Sequence, residues 1–133
     1  TRYNGDHWDD ECTADICLIR SKDGGLSWSS PELTDIVDSR SKQCAGNLGD
    51  GRAFMVNNPS GSKDRFPLVI RWSEDGRIFP DTLVLRDKYP PEMKEGKYKR
   101  LGFSYPKAYA VGNTVYVAYA VNKESIALSV IEF

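Results

Sequence analysis

Ser21-Lys22-Asp23-Gly24-Gly25-Leu26-Ser27-Trp28 is the stretch whose reading decides the fold. It has the form Ser-x-Asp-x-Gly-x-x-Trp, a self-contained turn between two strands. The Asp carboxylate can accept hydrogen bonds from N–H groups of its own turn. The glycines can take positive φ at no steric cost, and the Trp is expected to plug the apolar layer beneath. A second, looser copy, Ser73-Glu74-Asp75-Gly76-Arg77-Ile78-Phe79, starts at position 73 against 21, a spacing of 52. Each copy follows an apolar run, residues 16–20 and 68–72 respectively. Recurrence at that spacing marks a repeated sheet unit rather than one isolated turn.

Outward from these turns, no segment of useful length carries a helical period. Short β-rich runs separated by Gly, Pro, Asn and Asp dominate, which predicts an all-β chain. Strands are expected at residues 16–20 and 32–37 around the first turn, and at 68–72 and 81–86 around the second. Two more, at 44–48 and 52–57, flank Gly49-Asp50-Gly51, a strong hairpin signal. The four between residues 44 and 86 make one sheet unit. Residues 87–100 form a charged connection with Pro90-Pro91 and the basic side chains Lys88, Lys94, Lys97, Lys99 and Arg100. That connection reads either as a solvated link or as the lining of a groove for an acidic glycan. The last unit starts at Phe103-Ser104-Tyr105-Pro106, continues over 107–111 and turns at Gly112-Asn113. It then runs through 115–121 and 125–133. Pro106 suits a strand start or an edge position.

The 133 residues suit one domain, and 18 Lys+Arg against 19 Asp+Glu give a formal charge of −1. That balance carries no electrostatic footprint for nucleic acid. Apolar runs such as residues 114–121 fall well short of the ~20 residues that cross a bilayer as a helix. Cys12 and Cys17 could bridge, which would suit a secreted, periplasmic or cell-surface protein; plain buried thiols, with Cys44 as the third, account for them equally. The single histidine, His7, lies among Asp6, Asp9, Asp10 and Glu11 and reads as part of a solvated loop rather than a metal site. No metal and no cofactor are expected.

The two turns resemble the Asp-box (BNR) repeat of the sialidase (neuraminidase) superfamily of β-propellers, and the resemblance covers nearly the whole chain. Ser21, Asp23, Gly25 and Trp28, then Ser73, Asp75 and Phe79, are the structural Asp-box positions it marks. It implies a sialidase-like β-propeller, six-bladed when intact, of which this chain holds roughly the last two to three blades. These would be a partial blade over 1–38, a blade over 39–87 and the last blade over 101–133. A blade takes ~40–50 residues and a closed propeller ~4–8 blades. The chain, which opens on Thr1, is therefore expected to be the C-terminal part of a larger propeller, completed by further sequence or another chain. A small complete β-sandwich is the alternative.

The resemblance extends to site residues. Asn58-Pro59-Ser60-Gly61-Ser62-Lys63-Asp64-Arg65 is similar to the segment bearing the third arginine of the sialidase carboxylate-binding triad, and Arg2 falls where the second would lie. Gly102-Phe103-Ser104-Tyr105 resembles the segment carrying the tyrosine nucleophile, but Phe103, without a hydroxyl, occupies that position. Tyr105, two residues on and on the same strand face by period two, is the candidate in its place; the other reading is a Tyr lining the central channel or packing between blades. Ser41-Lys42, Gly46-Asn47-Leu48-Gly49-Asp50-Gly51-Arg52, Tyr105-Pro106 and Asn122-Lys123-Glu124 resemble elements of a broad group of sialidase-like Asp-box proteins. Lys42 reads either as a cation for an anionic sugar or as a surface lysine, and Asp50 as a hairpin residue. The first triad arginine, an aspartate acid/base and a glutamate that activates the tyrosine would lie before residue 1.

An arginine offers a planar fork of donors that matches a carboxylate, and a tyrosine can serve as nucleophile in place of a carboxylate. The expected function is that of a carbohydrate-active protein, a glycoside hydrolase on acidic glycans. Arg65 and Arg2 would bind the sugar carboxylate and Tyr105 would supply the hydroxyl. The alternatives are a polysaccharide lyase on uronic-acid glycans and a non-catalytic glycan-binding propeller. The expected partners are a glycan and the remainder of the propeller.

Overall fold

The computed structural model describes residues 2–3, 14–91 and 94–133. Among these residues every regular element is a strand, and they form three antiparallel sheets. The first contains β1 (Arg2–Tyr3), β2 (Ala14–Leu18) and β3 (Glu32–Asp38) in the order β1-β2-β3. The second contains β4 (Cys44–Asn47), β5 (Ala53–Asn57), β6 (Leu68–Ser73) and β7 (Asp81–Arg86), ordered as in the chain. The third contains β8 (Phe103–Val111), β9 (Thr114–Val121) and β10 (Ser125–Glu132), again neighbour to neighbour. Each sheet is a meander, and each Asp-box turn joins the last two strands of its sheet, β2 to β3 and β6 to β7.

The inner strands β5 and β6 of the middle sheet are buried on both faces, and strand alternation explains how. Phe54 and Val56 of β5 point one way, with Leu68 and Ile70 of β6, into a core shared with Phe103, Val115, Val117, Tyr119 and Ile131 of the third sheet. Met55 points the other way, to Ile16 and Ile36 of the first sheet, with Phe79 packed on them. Full burial of such side chains contributes about 1.5–3 kcal/mol each. The far face of the third sheet is different: Tyr109, Tyr116, Ile126, Leu128 and Val130 are exposed.

Polar contacts fix the sheets to one another. The hairpin loops between β4–β5 and β8–β9 meet where Gly49 N donates to Gly112 O at 2.7 Å, a contact so close that a Cβ on Gly49 would stand 2.8 Å from Gly112 Cα. Asp50 is more than a turn residue. Its carboxylate accepts from Arg52 Nε (2.9 Å) and Nη2 (2.7 Å) within the turn, and from Asn113 Nδ2 (2.9 Å) across the sheets. Between the first two sheets, buried Asn57 donates to Val37 O at 3.0 Å and to Asp38 Oδ1 at 3.2 Å.

Several sequence expectations shift. β1 had no counterpart, and β2 runs over 14–18 rather than 16–20. Residues 103–111 form one continuous strand that holds Pro106, with a bulge between Ser104 and Lys107. Tyr105, at φ 57°, occupies that bulge. The extra residue cancels the period-two alternation. Phe103 therefore faces the core, 3% exposed, with Ala108 and Ala110, whereas Tyr105 is 42% exposed and does not share its face. Trp28 does not plug an apolar layer either: it is 58% exposed, and its indole N–H donates to Gly25 O of its own turn. Phe79 does pack inward, because the first sheet supplies Ile16 and Ile36 beneath it. His7 and Cys12 lie outside the described residues, while Cys17 and Cys44 are free thiols. No helix is long and apolar enough to cross a membrane among the described residues.

Candidate functional site

Antiparallel meanders put the β4–β5 and β8–β9 hairpins and the Asp-box turns at one end of their sheets. The starts of β4 and β8, the β5–β6 connection and the β9–β10 turn lie at the opposite end. Lys42, Arg65, Tyr105 and Lys123 all belong to that opposite end.

Arg65 is held through its backbone. It forms a parallel bridge with Gly102, and Phe103 N donates to Arg65 O at 2.7 Å. Gly102 is required there. Its φ of 110° is left-handed territory, and a Cβ would stand 2.5 Å from Arg65 O. Buried Asn122 completes the clamp: Asn122 N donates to Gly102 O at 2.9 Å, Gly102 N donates to Asn122 Oδ1 at 3.0 Å, and Asn122 Nδ2 donates to Pro91 O at 2.9 Å. With its backbone fixed, Arg65 carries its guanidinium carbon to 4.8 Å from the centre of the Tyr105 ring.

The bulge turns Tyr105 out of the sheet face to meet that guanidinium. Arg65, first by hydrogen bonding to the phenol and then by its charge, holds the Tyr105 pKa below its ordinary value. Lys123 and Lys42 pull in the same direction. The structure thus brings three sequence-predicted residues, Tyr105, Arg65 and Lys42, into one electrostatic neighbourhood. Lys42 is exposed just before β4, next to Ser41, whose buried hydroxyl donates to Asn58 Oδ1 at 2.9 Å. Arg2 pairs with Ile16 in β1; its side chain lies outside the described residues.

Lys123 was not singled out from the sequence as a site residue. It occupies a tight turn in which Glu124 N donates to Val121 O, and both Asn122 (φ 53°) and Lys123 (φ 57°) are left-handed. The Asn at the first of these positions was the available signal, since such a turn favours Asn. Lys123 Nζ donates to Tyr98 O at 2.8 Å. The neighbouring Glu124 is ion-paired with Lys99 and accepts from Lys94 N at 2.8 Å, tying residues 94–99 to the β9–β10 turn. Tyr105, Lys123, Glu124 and Ile126 border a shallow hollow of about 350 Å³.

The Asp-box carboxylates act locally. Asp23 accepts from Ser21 Oγ (2.8 Å), Ser27 N (2.9 Å) and Ser27 Oγ, and Ser21 Oγ accepts from Gly25 N (2.7 Å). Hydrogen bonds from the Ser27 side chain and backbone, then from Ser21, bring the Asp23 pKa down to about 2. Asp75 repeats the pattern with Ile78 N, Arg77 N and Ser73 Oγ, and its pKa is lowered for the same reason. Burial pushes the Cys44 thiol up to about 11, so it is protonated at neutral pH and unsuited to nucleophilic work. No group of His, Cys, Asp and Glu that could hold a metal ion occurs among the described residues.

An exposed phenol with a depressed pKa, ringed by an arginine and two lysines, can bind an anion and exchange a proton beside it. A family model described as a BNR repeat-like domain matches residues 4–117. No curated protein and no solved structure matches the chain.

Proposed function

The chain belongs to the BNR repeat-like domain family, and from that premise we propose that it is a sialidase-like, carbohydrate-active protein that binds acidic glycans at the Arg65–Tyr105 end of its sheets. The observation that carries this reading is the guanidinium of Arg65 set against the exposed Tyr105 phenol, with Lys42 and Lys123 adding positive charge. Arg65 offers the sugar carboxylate a forked pair of donors, and Arg2 joins it in the intact site. Tyr105 supplies the hydroxyl. As a glycoside hydrolase, its oxygen gives its proton to a base elsewhere in the protein and attacks the anomeric carbon while the leaving group takes a proton from an acid; water then cleaves the glycosyl–tyrosine bond, freeing the sugar and restoring the phenol.

A second reading is favoured by one specific observation: the groups that lower the Tyr105 pKa are all cations. Such surroundings stabilise a phenolate, which suits proton abstraction α to an arginine-neutralised carboxylate in a polysaccharide lyase. Product analysis on uronic-acid and sialic-acid glycans separates the readings. A hydrolase releases a reducing sugar without new ultraviolet absorbance, a lyase releases an unsaturated sugar that absorbs, and a glycan-binding module releases neither. Arg65→Ala should weaken binding of carboxylated glycans; unchanged affinity would remove the binding assignment.

The exposed apolar face of the third sheet supports the rest of the reading. Another sheet of a propeller packs on Tyr109, Tyr116, Ile126, Leu128 and Val130, just as the third sheet packs on the second. The blades then correspond to residues 1–38, 39–87 and 101–133. A protein acting on such glycans is placed where they are met: secreted, periplasmic or at the cell surface.

A further inference from the structure

Arg65 faces two neighbourhoods. One side of it meets Tyr105, and it also lines a separate recess of about 330 Å³ with Lys63, Asp64, Tyr89, Arg100 and Leu101. Two stretches running side by side build this recess. The Arg65–Gly102 bridge is parallel, and two residues earlier on each stretch Arg100 Nη1 donates to Lys63 O at 3.1 Å. Among the described residues, that pairing brings the cationic Lys63, Arg65 and Arg100 to one recess with the carboxylate of Asp64.

Two further observations point to a ligand. Arg65 Nη1 is buried and has no hydrogen-bond partner among the described residues, an arrangement that an incoming acceptor relieves. Tyr89 lies with one ring face stacked on Phe66, centroids 4.1 Å apart and 24° from parallel, while half of the residue stays exposed. A phenol fixed in that way is a rigid apolar platform beside charged donors, the combination that holds a sugar ring by its face and its acid group by its edge.

We propose that this recess is a second sugar subsite, which takes the next acidic residue of the glycan whose first acidic residue lies at Tyr105. Arg65 serves both, since its guanidinium has five N–H donors to divide between two anions. The ligand is then an oligosaccharide with acid groups on successive residues rather than a single terminal acid sugar. This inference rests on the proposed reading of the Arg65–Tyr105 end as an acidic-sugar site.

The test is calorimetric titration of the full-length protein with galacturonate, with trigalacturonate and with the methyl ester of the trimer. The trimer should bind at least about tenfold more tightly than the monomer, and Arg100→Gln should remove about tenfold from trimer affinity while leaving the monomer unaffected. Tyr89→Ala should act in the same direction, and the methyl ester should lose the advantage of the trimer. Equal affinity for monomer and trimer, an Arg100→Gln protein with unchanged trimer affinity, or an equal loss for both ligands would overturn the second subsite while leaving the first intact. A trimer ester that binds as well as the free acid would also overturn it. If the unaltered protein binds neither acid sugar, the reading of the Tyr105 end fails and this subsite falls with it.

Discussion

Gly102→Ala is the substitution that probes most directly how Arg65 is held over Tyr105. A Cβ at position 102 would stand 2.5 Å from the Arg65 carbonyl oxygen and 2.9 Å from its carbon. Both are backbone atoms, pinned by Phe103 N, so the strand and the loop must part. Gly51→Ala is the matched control: its φ is 95° against 110°, and a Cβ there meets nothing within 4 Å. The control should lose only the backbone preference, about 1–2 kcal/mol. Gly102→Ala should lose in addition two of the clamp's hydrogen bonds, Phe103 N to Arg65 O and Asn122 N to Gly102 O, at about 0.5–1.5 kcal/mol each. At roughly 4 °C per kcal/mol for a chain of this size, the Gly102→Ala protein should melt about 4–12 °C below Gly51→Ala. Ultraviolet titration of the phenols, with Tyr105→Phe as the subtraction, gives the second readout. Release of Arg65 should let the Tyr105 pKa climb toward the ordinary value of about 10 in Gly102→Ala and leave it low in Gly51→Ala. Equal melting of the two proteins, or a Tyr105 titration that does not move, would refute the clamp.

Arg65→Lys keeps the charge but loses the planar fork, so the Tyr105 pKa should still rise, because hydrogen bonding is the larger cause of its depression; an unmoved titration would assign the effect to charge alone. Asp23 has a folded pKa of about 2 against an ordinary 3.8. Its stabilising effect is therefore complete above about pH 4 and is lost as the pH falls through about 2. Asp23→Asn should flatten that acid limb in thermal melts taken between about pH 5 and 2. Phe54→Ala opens a void between the second and third sheets and should cost about 3–5 kcal/mol in urea unfolding. Leu26→Ala, at an exposed turn, should stay within about 0.5 kcal/mol of the parent.

The fold was legible because its punctuation is local. The Ser and Asp hydroxyl and carboxylate groups of each Asp box bond within their own turn, so the motif carries its conformation wherever it stands. Strand positions followed from short β-rich runs, and the four strands from Cys44 to Arg86 form one sheet, as their turn residues implied. The candidate site was read only in part. Arg65, Lys42 and Tyr105 were visible by resemblance. The bulge that turns Tyr105 outward was not, because alternation gives no warning of a residue added to one side of a ladder. Lys123 owes its place to a left-handed turn, and Gly102 to a parallel bridge with a residue 37 positions away in the chain. Such pairings are long-range and leave no periodic trace. The burial of Trp28 failed for a related reason: a motif specifies its turn but not the surface beneath it.

The Tyr105 bulge has a consequence for how this site can change over generations. Two residues, Tyr105 and Pro106, stand where Tyr119 alone faces them. Deleting the Pro106 codon would restore an even ladder in which residues 107–111 keep their partners and Tyr105, left alone opposite Tyr119, turns to the core side with Phe103. Loss or gain of the hydroxyl's outlook is therefore a matter of length, reachable in a single indel, and no point change at Phe103 accomplishes the same thing.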